Sequence, residues 1–313
     1  MPVASTTTST IVTTRFRALG SSIEIAVTDP RALAEVERIV RDRFDEIDRT
    51  FSRFRSDSEL ADLERGAGRP QHASRLFAEL LDLACRAAAS TGGWFDPTVR
   101  DALEAAGYDR SIEQIEASGP GPALPTRPAG RWREIRYHLD GCVVLLPEGA
   151  RLDFGGIGKG FAVDYALRAL AGIGCGVLVN AGGDIGIAGP APEGGWLCEV
   201  APDTDGPPET TVRLERGALA TSGLGRRQWS RGGERLHHLI DPRTGRPAAS
   251  PWTIVSVAAR DCAVAEVAAK VGWLRGEDGP DWIGSLDLAS RFSGCGRVVT
   301  VGGWPAGGNE AAT

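Results

Sequence analysis

The chain has 313 residues, 42% of them hydrophobic and 24% charged, ordinary proportions for a globular protein with enough apolar side chains for a sizeable core. A net charge of −6 argues against a nucleic-acid partner, and no apolar run is long enough to span a membrane. Six scattered cysteines without a C-x-x-C pair argue against a disulfide framework or a zinc site.

Residues 1–14 are Ser/Thr-rich and read as a disordered tail. They lack a basic segment followed by an apolar one, and no lipidated-cysteine pattern is present, so a cytoplasmic location is the default expectation. Ile23, Ile25 and Val27 alternate as in a strand. Thr28-Asp29-Pro30 opens a helix, and Leu33, Val36, Val40, Phe44, Ile47 and Phe51 keep its three-to-four spacing. FSRFRSDSELADLERG, from Phe51 to Gly66, reads as a polar connection. A second amphipathic helix runs from Ser74 to Ser90 and stops at Thr91-Gly92-Gly93. The Pro/Gly-rich residues 119–130 are the best candidate for an insertion, and Ile135 to Leu146 reads as a hairpin across Asp140-Gly141.

The centre of the chain is Arg151 to Asp184: extended residues, a glycine turn, a helix, a strand and a second glycine turn. Gly155, Gly156, Gly158 and Gly160 permit tight turns and close approach of a ligand. The helix carries Val163, Ala166, Leu167 and Leu170 on one stripe, and Gly176 to Val179 reads as a buried strand. Glycine turns that open helices expose N–H groups suited to phosphate oxygens. Neither named phosphate motif is present: Gly160 stands after Lys159 where a Walker A loop needs Ser or Thr, and the G-x-G-x-x-G spacing is missing. Further on, Trp196 to Val200, Thr211 to Leu214 and Thr253 to Val257 read as strands. Ala220 to Gly223 reads as a small-residue turn, and Gln228 to Leu239 as a hairpin around Gly232-Gly233. Asp261 is placed to cap a helix from Cys262 to Trp273, and Arg297 to Val301 is a last strand. Strands and helices mix without strict alternation, which points to an α+β fold.

Six stretches occur in one order: Ala18-Leu19-Gly20; TGGWFDPTV from Thr91 to Val99; DFGGIGKGFAVD from Asp153 to Asp164; NAGGD from Asn180 to Asp184; ATSG from Ala220 to Gly223, followed by Arg226-Arg227; and HLIDPRTGRP from His238 to Pro247. Together they resemble the ApbE-like family of FAD:protein FMN transferases, from about Arg17 to Trp304. The resemblance implies one domain over 15–305, mixed sheets packed with helices, FAD in a central cleft, and a C-terminal tail over 306–313. It implies an enzyme that splits the FAD pyrophosphate with Mg²⁺ assistance. FMN passes by a phosphoester bond to a Thr or Ser of an acceptor flavoprotein, and AMP leaves. The positions it marks for FAD are Leu19, Glu64, Phe95, Asp96, Pro97, Asp153, Lys159, Gly182, Gly183, Asp184, Thr221, Ser222, Gly223 and His238. His238, Asp153 and Lys270 are the catalytic candidates, His238 as a general base with a near-neutral pKa.

The chain departs from the family at two places. The family's metal ligands, an Asp and a Thr four residues on, are matched by Glu266 and Lys270, with Gly156 at the position of a ligating carbonyl. The Lys270 ammonium is thereby expected to replace the ion against Glu266 and the pyrophosphate. The alternative is a solvated i,i+4 Glu–Lys pair, worth a few tenths of a kcal/mol. Glu64 stands where the family has Asn or Tyr near the flavin. Taken singly, Asp96 also reads as an Asx turn, Asp184 as a turn cap, His237 as a solvated strand residue, and Arg243 and Arg246 as surface charges. A non-catalytic FAD-binding protein and an FAD pyrophosphatase giving FMN and AMP are the competing functions.

Overall fold

The computed structural model describes residues 10–110, 114–115, 128–202, 207–225 and 227–304. The first hairpin pairs β1 (Val12–Ala18) with β2 (Ser21–Val27). The tail expected over 1–14 is therefore corrected: residues 12–14 are paired strand. A single 3-10 turn over Pro30–Ala32, capped by Asp29, leads into α1 (Leu33–Phe51). The three-to-four spacing of α1 buries Val36, Val40, Phe44, Ile47 and Phe51. The expected polar connection holds a short helix, α2 (Glu59–Arg65): Ser58 accepts the Ala61 N–H, and only Leu60 and Leu63 are buried, too few to register as a period. β3 (Gln71–His72) precedes α3 (Arg75–Ser90), which begins where expected because Ser74 accepts the Phe77 N–H. After α4 (Arg100–Ala105), the stretch 119–127 of the Pro/Gly loop lies outside the described residues. The expected hairpin follows as β4 (Arg136–His138) and β5 (Val143–Leu145), with β3 on the other side of β5.

The central stretch supplies α5 (Gly158–Ala169), β6 (Val177–Ala181) and β7 (Asp184–Ala188). A hairpin of β8 (Trp196–Val200) and β9 (Thr210–Leu214) comes next. Ala220 to Gly223 is no turn but part of β10 (Ala218–Gly223), paired with β15 (Ile254–Ala259). Small side chains there serve close helix packing on the strand, a demand no local signal separates from turn preference. Between them lie the hairpin of β11 (Gln228–Arg231) and β12 (Glu234–His237) and the short pair β13 (Ile240–Asp241) and β14 (Arg246–Pro247). The chain closes with α6 (Cys262–Leu274), α7 (Gly279–Gly284), β16 (Ala289–Gly294) and β17 (Arg297–Val301).

One antiparallel sheet in the order β1-β2-β6-β7-β10-β15-β16-β17 organises these elements. Helices α1, α5 and α6 cover one face, and the β8–β9 hairpin covers the other. The period of two in each strand divides the side chains between the two cores. Ile23, Ile25, Val27, Val177 and Val179 join the helices, whereas Ala26 and Leu178 join Trp196, Cys198 and Val212 of the hairpin. This is the α+β architecture of mixed sheets and helices that the sequence predicts.

Helices α5 and α6 cap one another. Asp164 on α5 accepts the Cys262 and Ala263 N–H groups at 2.8 and 2.9 Å, and Glu266 on α6 accepts the Gly160 N–H at 2.8 Å. Asp261 occupies the N-cap position of α6 without a capping hydrogen bond of its own, so the cap expected of it comes from Asp164. Gly160 is set by this approach: a Cβ there would stand 2.6 Å from the Cys262 carbonyl oxygen. Two buried N–H groups depend on Asp164, so Asp164→Ala is expected to lower stability by about 1–2 kcal/mol. Urea unfolding measures the loss, and an unchanged midpoint and slope would disprove the capping role.

Candidate active site

The site is assembled where the turn before α5 meets α6. Asp153 donates its N–H to the Pro97 carbonyl at 2.8 Å, which ties the 94–99 loop to the central stretch. Its Oδ1 accepts the Gly155 N–H at 2.8 Å, and its Oδ2 pairs with Arg53 Nε at 2.7 Å. Both side chains are buried, Arg53 at 6% and Asp153 at 9% exposure. The Arg53 guanidinium also lies over the rings of Phe54 and Tyr108, at 4.1 and 4.7 Å. Sequence reasoning missed Arg53 because it sits in a polar stretch with no motif, and its partner lies a hundred residues away.

Lys159, one of the positions the resemblance marks for FAD, stands in the first turn of α5. Its ammonium pairs with the Asp184 carboxylate and with Glu266 Oε1, the latter at 3.0 Å. Burial disfavours the charged lysine, but Asp184 and Glu266 outweigh it and hold the pKa above its ordinary value. Burial pushes Asp184 upward, with Lys159 opposing. Asp184 stands at the start of β7, just past Gly182 and Gly183, whose φ angles of 65° and 98° suit a primed hairpin turn.

Lys270 lies one turn beyond Glu266 on α6 and reaches over Gly156. A Cβ at 156 would stand 2.8 Å from its Cδ and closer still to its Nζ. Burial lowers the Lys270 pKa, while Asp153 and Glu266 act to raise it. The solvated i,i+4 pair is not formed, because Glu266 is 3% exposed and both its carboxylate oxygens are engaged, by Gly160 N–H and Lys159. Mg²⁺ takes oxygen donors in near-octahedral geometry. Here both oxygens of the candidate carboxylate are already engaged, one by the Lys159 ammonium, and the candidate carbonyl residue lies under the Lys270 ammonium, so the residues present do not fit the ion. Among the described residues no group of three His, Cys, Asp or Glu side chains is arranged to hold a metal.

The two histidines after β11 differ in role. His237 Nε2 bonds the Ala248 carbonyl at 3.0 Å, its Nδ1 accepts the Leu239 N–H at 3.2 Å, and its ring packs edge-on to Trp273. It is a structural histidine and not the solvated strand residue expected. His238 places Nδ1 3.4 Å from the Arg227 carbonyl, and that bond, with Nδ1–H as donor, leaves Nε2 an acceptor. Burial, then Arg227 and Lys270, push the His238 pKa well below its ordinary value. Below about pH 6.5 the unfolded chain binds a proton at His238 that the folded protein does not, so this group's contribution falls as pH drops toward the folded pKa. Replacing it by alanine is expected to flatten the loss of stability below pH 6.5. Denaturation midpoints of both proteins between pH 5 and 8 test this, and parallel curves would refute it.

The remaining expected residues are distributed around this centre. Leu19 has a φ of 49° in the β1–β2 turn, and the Gly182 N–H reaches the Ser22 carbonyl, so the two turns adjoin. Phe95 is 2% exposed and belongs to the core under the helices. Asp96 Oδ1 accepts the Thr98 N–H and hydroxyl, the Asx turn read from sequence. Its Oδ2 is buried with no hydrogen-bond partner among the described residues, and burial raises its pKa. The Glu64 carboxylate holds Arg100 and the Leu152 N–H, both at 2.7 Å. Thr221, Ser222 and Gly223 line the end of β10, with the Thr221 hydroxyl 2.8 Å from that of Ser256.

Sheet, helices and site together define an α+β protein that gathers lysines, carboxylates and one neutral histidine at the start of α5. The chain belongs to the ApbE family, whose pattern matches residues 19–292. It is similar to the FAD:protein FMN transferase of Rhodobacter capsulatus, 33% identical over 67% of this chain and 39% of that protein. It is also similar to that of Escherichia coli K12, 26% identical over 74% of this chain and 68% of the relative. The chain thus spans well under half of the first relative's length and about two thirds of the second's. The ApbE protein of Thermotoga maritima shares its fold with a TM-score of 0.80 at 24% identity, covering 93% of this chain and 97% of that one. The apo flavinyl transferase ApbE of Pseudomonas stutzeri does so at 0.77 and 20%, covering 93% and 95%.

Proposed function

We propose that this protein is an FAD:protein FMN transferase. The observation that carries the reading is the placement of His238 in the family's pattern: its Nδ1 is held by the Arg227 carbonyl, which leaves Nε2 to accept a proton, and Lys270 lies over the Gly156 turn. A neutral base next to cations is what phosphoryl transfer to a hydroxyl requires: the cations hold the phosphates and the base takes the proton. The FAD pyrophosphate lies in a central cleft near the α5 turn, Asp153 and Lys270. The 95–97 loop, the Leu19 and Gly182-Gly183 turns and the 221–223 strand end surround the rest of the nucleotide. A Thr or Ser oxygen of an acceptor flavoprotein bonds to the FMN phosphorus as the bond from that phosphorus to the bridging oxygen breaks. The hydroxyl proton passes to His238 Nε2, and AMP leaves with the bridging oxygen. Lys159 holds its two carboxylates in place and positions α5 against α6. We place the reaction in the cytoplasm.

The test is incubation of the pure protein with FAD and a candidate acceptor. FMN covalently bound to the acceptor, with one AMP released per transfer, is expected. Free FMN with AMP would replace the reading by pyrophosphatase activity, and unchanged, tightly bound FAD by a storage role.

A further inference from the structure

We propose that in this chain the ammonium of Lys270, not a divalent ion, is the cation set against the pyrophosphate of the ligand. The inference rests on the transferase reading above.

Three observations carry it. The first is occupancy. Lys270 lies directly on Gly156, so the space above the α5 turn is filled by Cδ, Cε and Nζ of one side chain. Glycine at 156 is what admits them.

The second is the state of the neighbouring carboxylates. Asp153 is satisfied by Arg53 and the Gly155 N–H. Asp184 and Glu266 share Lys159, and the second oxygen of Glu266 is bound to the Gly160 N–H. Recruiting Glu266 to an ion would uncap α5 and strip Lys159 of one partner. Lys270, by contrast, forms no ion pair with any described carboxylate. Among the described residues its three donors have no hydrogen-bond or ion-pair partner, and the Arg227 guanidinium nearby has none either.

The third is charge balance. Asp153, Asp184 and Glu266 are matched by Arg53, Lys159 and Lys270, with Arg227 a further cation within electrostatic reach. These four cations already outnumber the three carboxylates by one, and a divalent ion in the ligand-free pocket would add two more unmatched charges in a poorly solvated place. A pyrophosphate brings the opposite sign and completes the set. An ammonium then supplies charge and hydrogen bonds to the phosphate oxygens without the Lewis acidity of a metal.

Two measurements on the intact protein test this. Mn²⁺ is used as the divalent probe, read by its free-ion electron paramagnetic resonance signal with and without FAD, and FAD affinity is read by fluorescence quenching. The wild-type protein is expected to leave the Mn²⁺ signal unchanged. Lys270→Thr is expected to bind FAD about 10–100-fold more weakly, the loss of a charged hydrogen bond, and to regain affinity when Mn²⁺ is added. Lys270→Arg keeps the charge and should retain most of the affinity. Stoichiometric Mn²⁺ uptake by the wild-type protein overturns the proposal. So does wild-type FAD affinity in Lys270→Thr. If the wild-type protein binds no FAD at all, the transferase reading falls instead, and the Mn²⁺ signal alone still decides whether the pocket takes a divalent ion.

Discussion

Replacing His238 by alanine is expected to slow FMN transfer by about 10²–10⁴-fold, the usual cost of removing a general base, while FAD still binds. The separation of rate from binding follows from geometry. The imidazole is fixed through Nδ1 to the Arg227 carbonyl, and burial keeps it neutral, so what the ring offers is a lone pair at Nε2. The cations that would hold phosphate remain in the variant. His237→Ala is the control. Both its nitrogens serve backbone groups, so its loss should cost stability, about 1–3 kcal/mol, with little change in rate per folded molecule. Stopped assays at saturating FAD, with the folded fraction checked by circular dichroism, read both effects. An undiminished rate in His238→Ala would remove it from the chemistry.

Asp153→Ala is expected to destabilise the fold by about 3–5 kcal/mol, the cost of taking from a buried charge its closest partner and leaving it only Glu104, at 3.9 Å. The Arg53 guanidinium is buried, and its Nη2 already lacks a hydrogen-bond partner, so the Asp153 carboxylate is its principal compensation. The Gly155 N–H loses its acceptor in the same step. Arg53→Met combined with Asp153→Ala removes both charges and should be less destabilising than the sum of the single changes. Urea unfolding of the three variants gives the coupling energy. Strict additivity would mean that the two side chains contribute independently and that the pair does not anchor the turn before α5.

Much of this protein follows from local rules acting on the sequence. The stripes of α1 and α3, the Asp140-Gly141 hairpin and the alternation in β2 depend on residues within a few positions of one another, and these are where expectation and structure agree. The ordered motifs from Thr91 to Pro247 were enough to point to the family. What the sequence could not settle is where charges meet. Lys159 finds Asp184 25 positions away and Glu266 107 away, Asp164 caps a helix 98 positions on, and Arg53 finds Asp153 across most of the first half of the chain. A charged side chain carries no periodic signal, and its partner is chosen by the path of the backbone through α5, β7 and α6. Small residues are equally silent: in β10 they read as a turn, and only packing against α6 shows that they are strand. The sequence by itself determined the local elements, the α+β class and the family. Tertiary structure alone decided which lysine is committed to carboxylates and which forms no ion pair with a described one, because burial and proximity, not residue type, fix the work a charge can do.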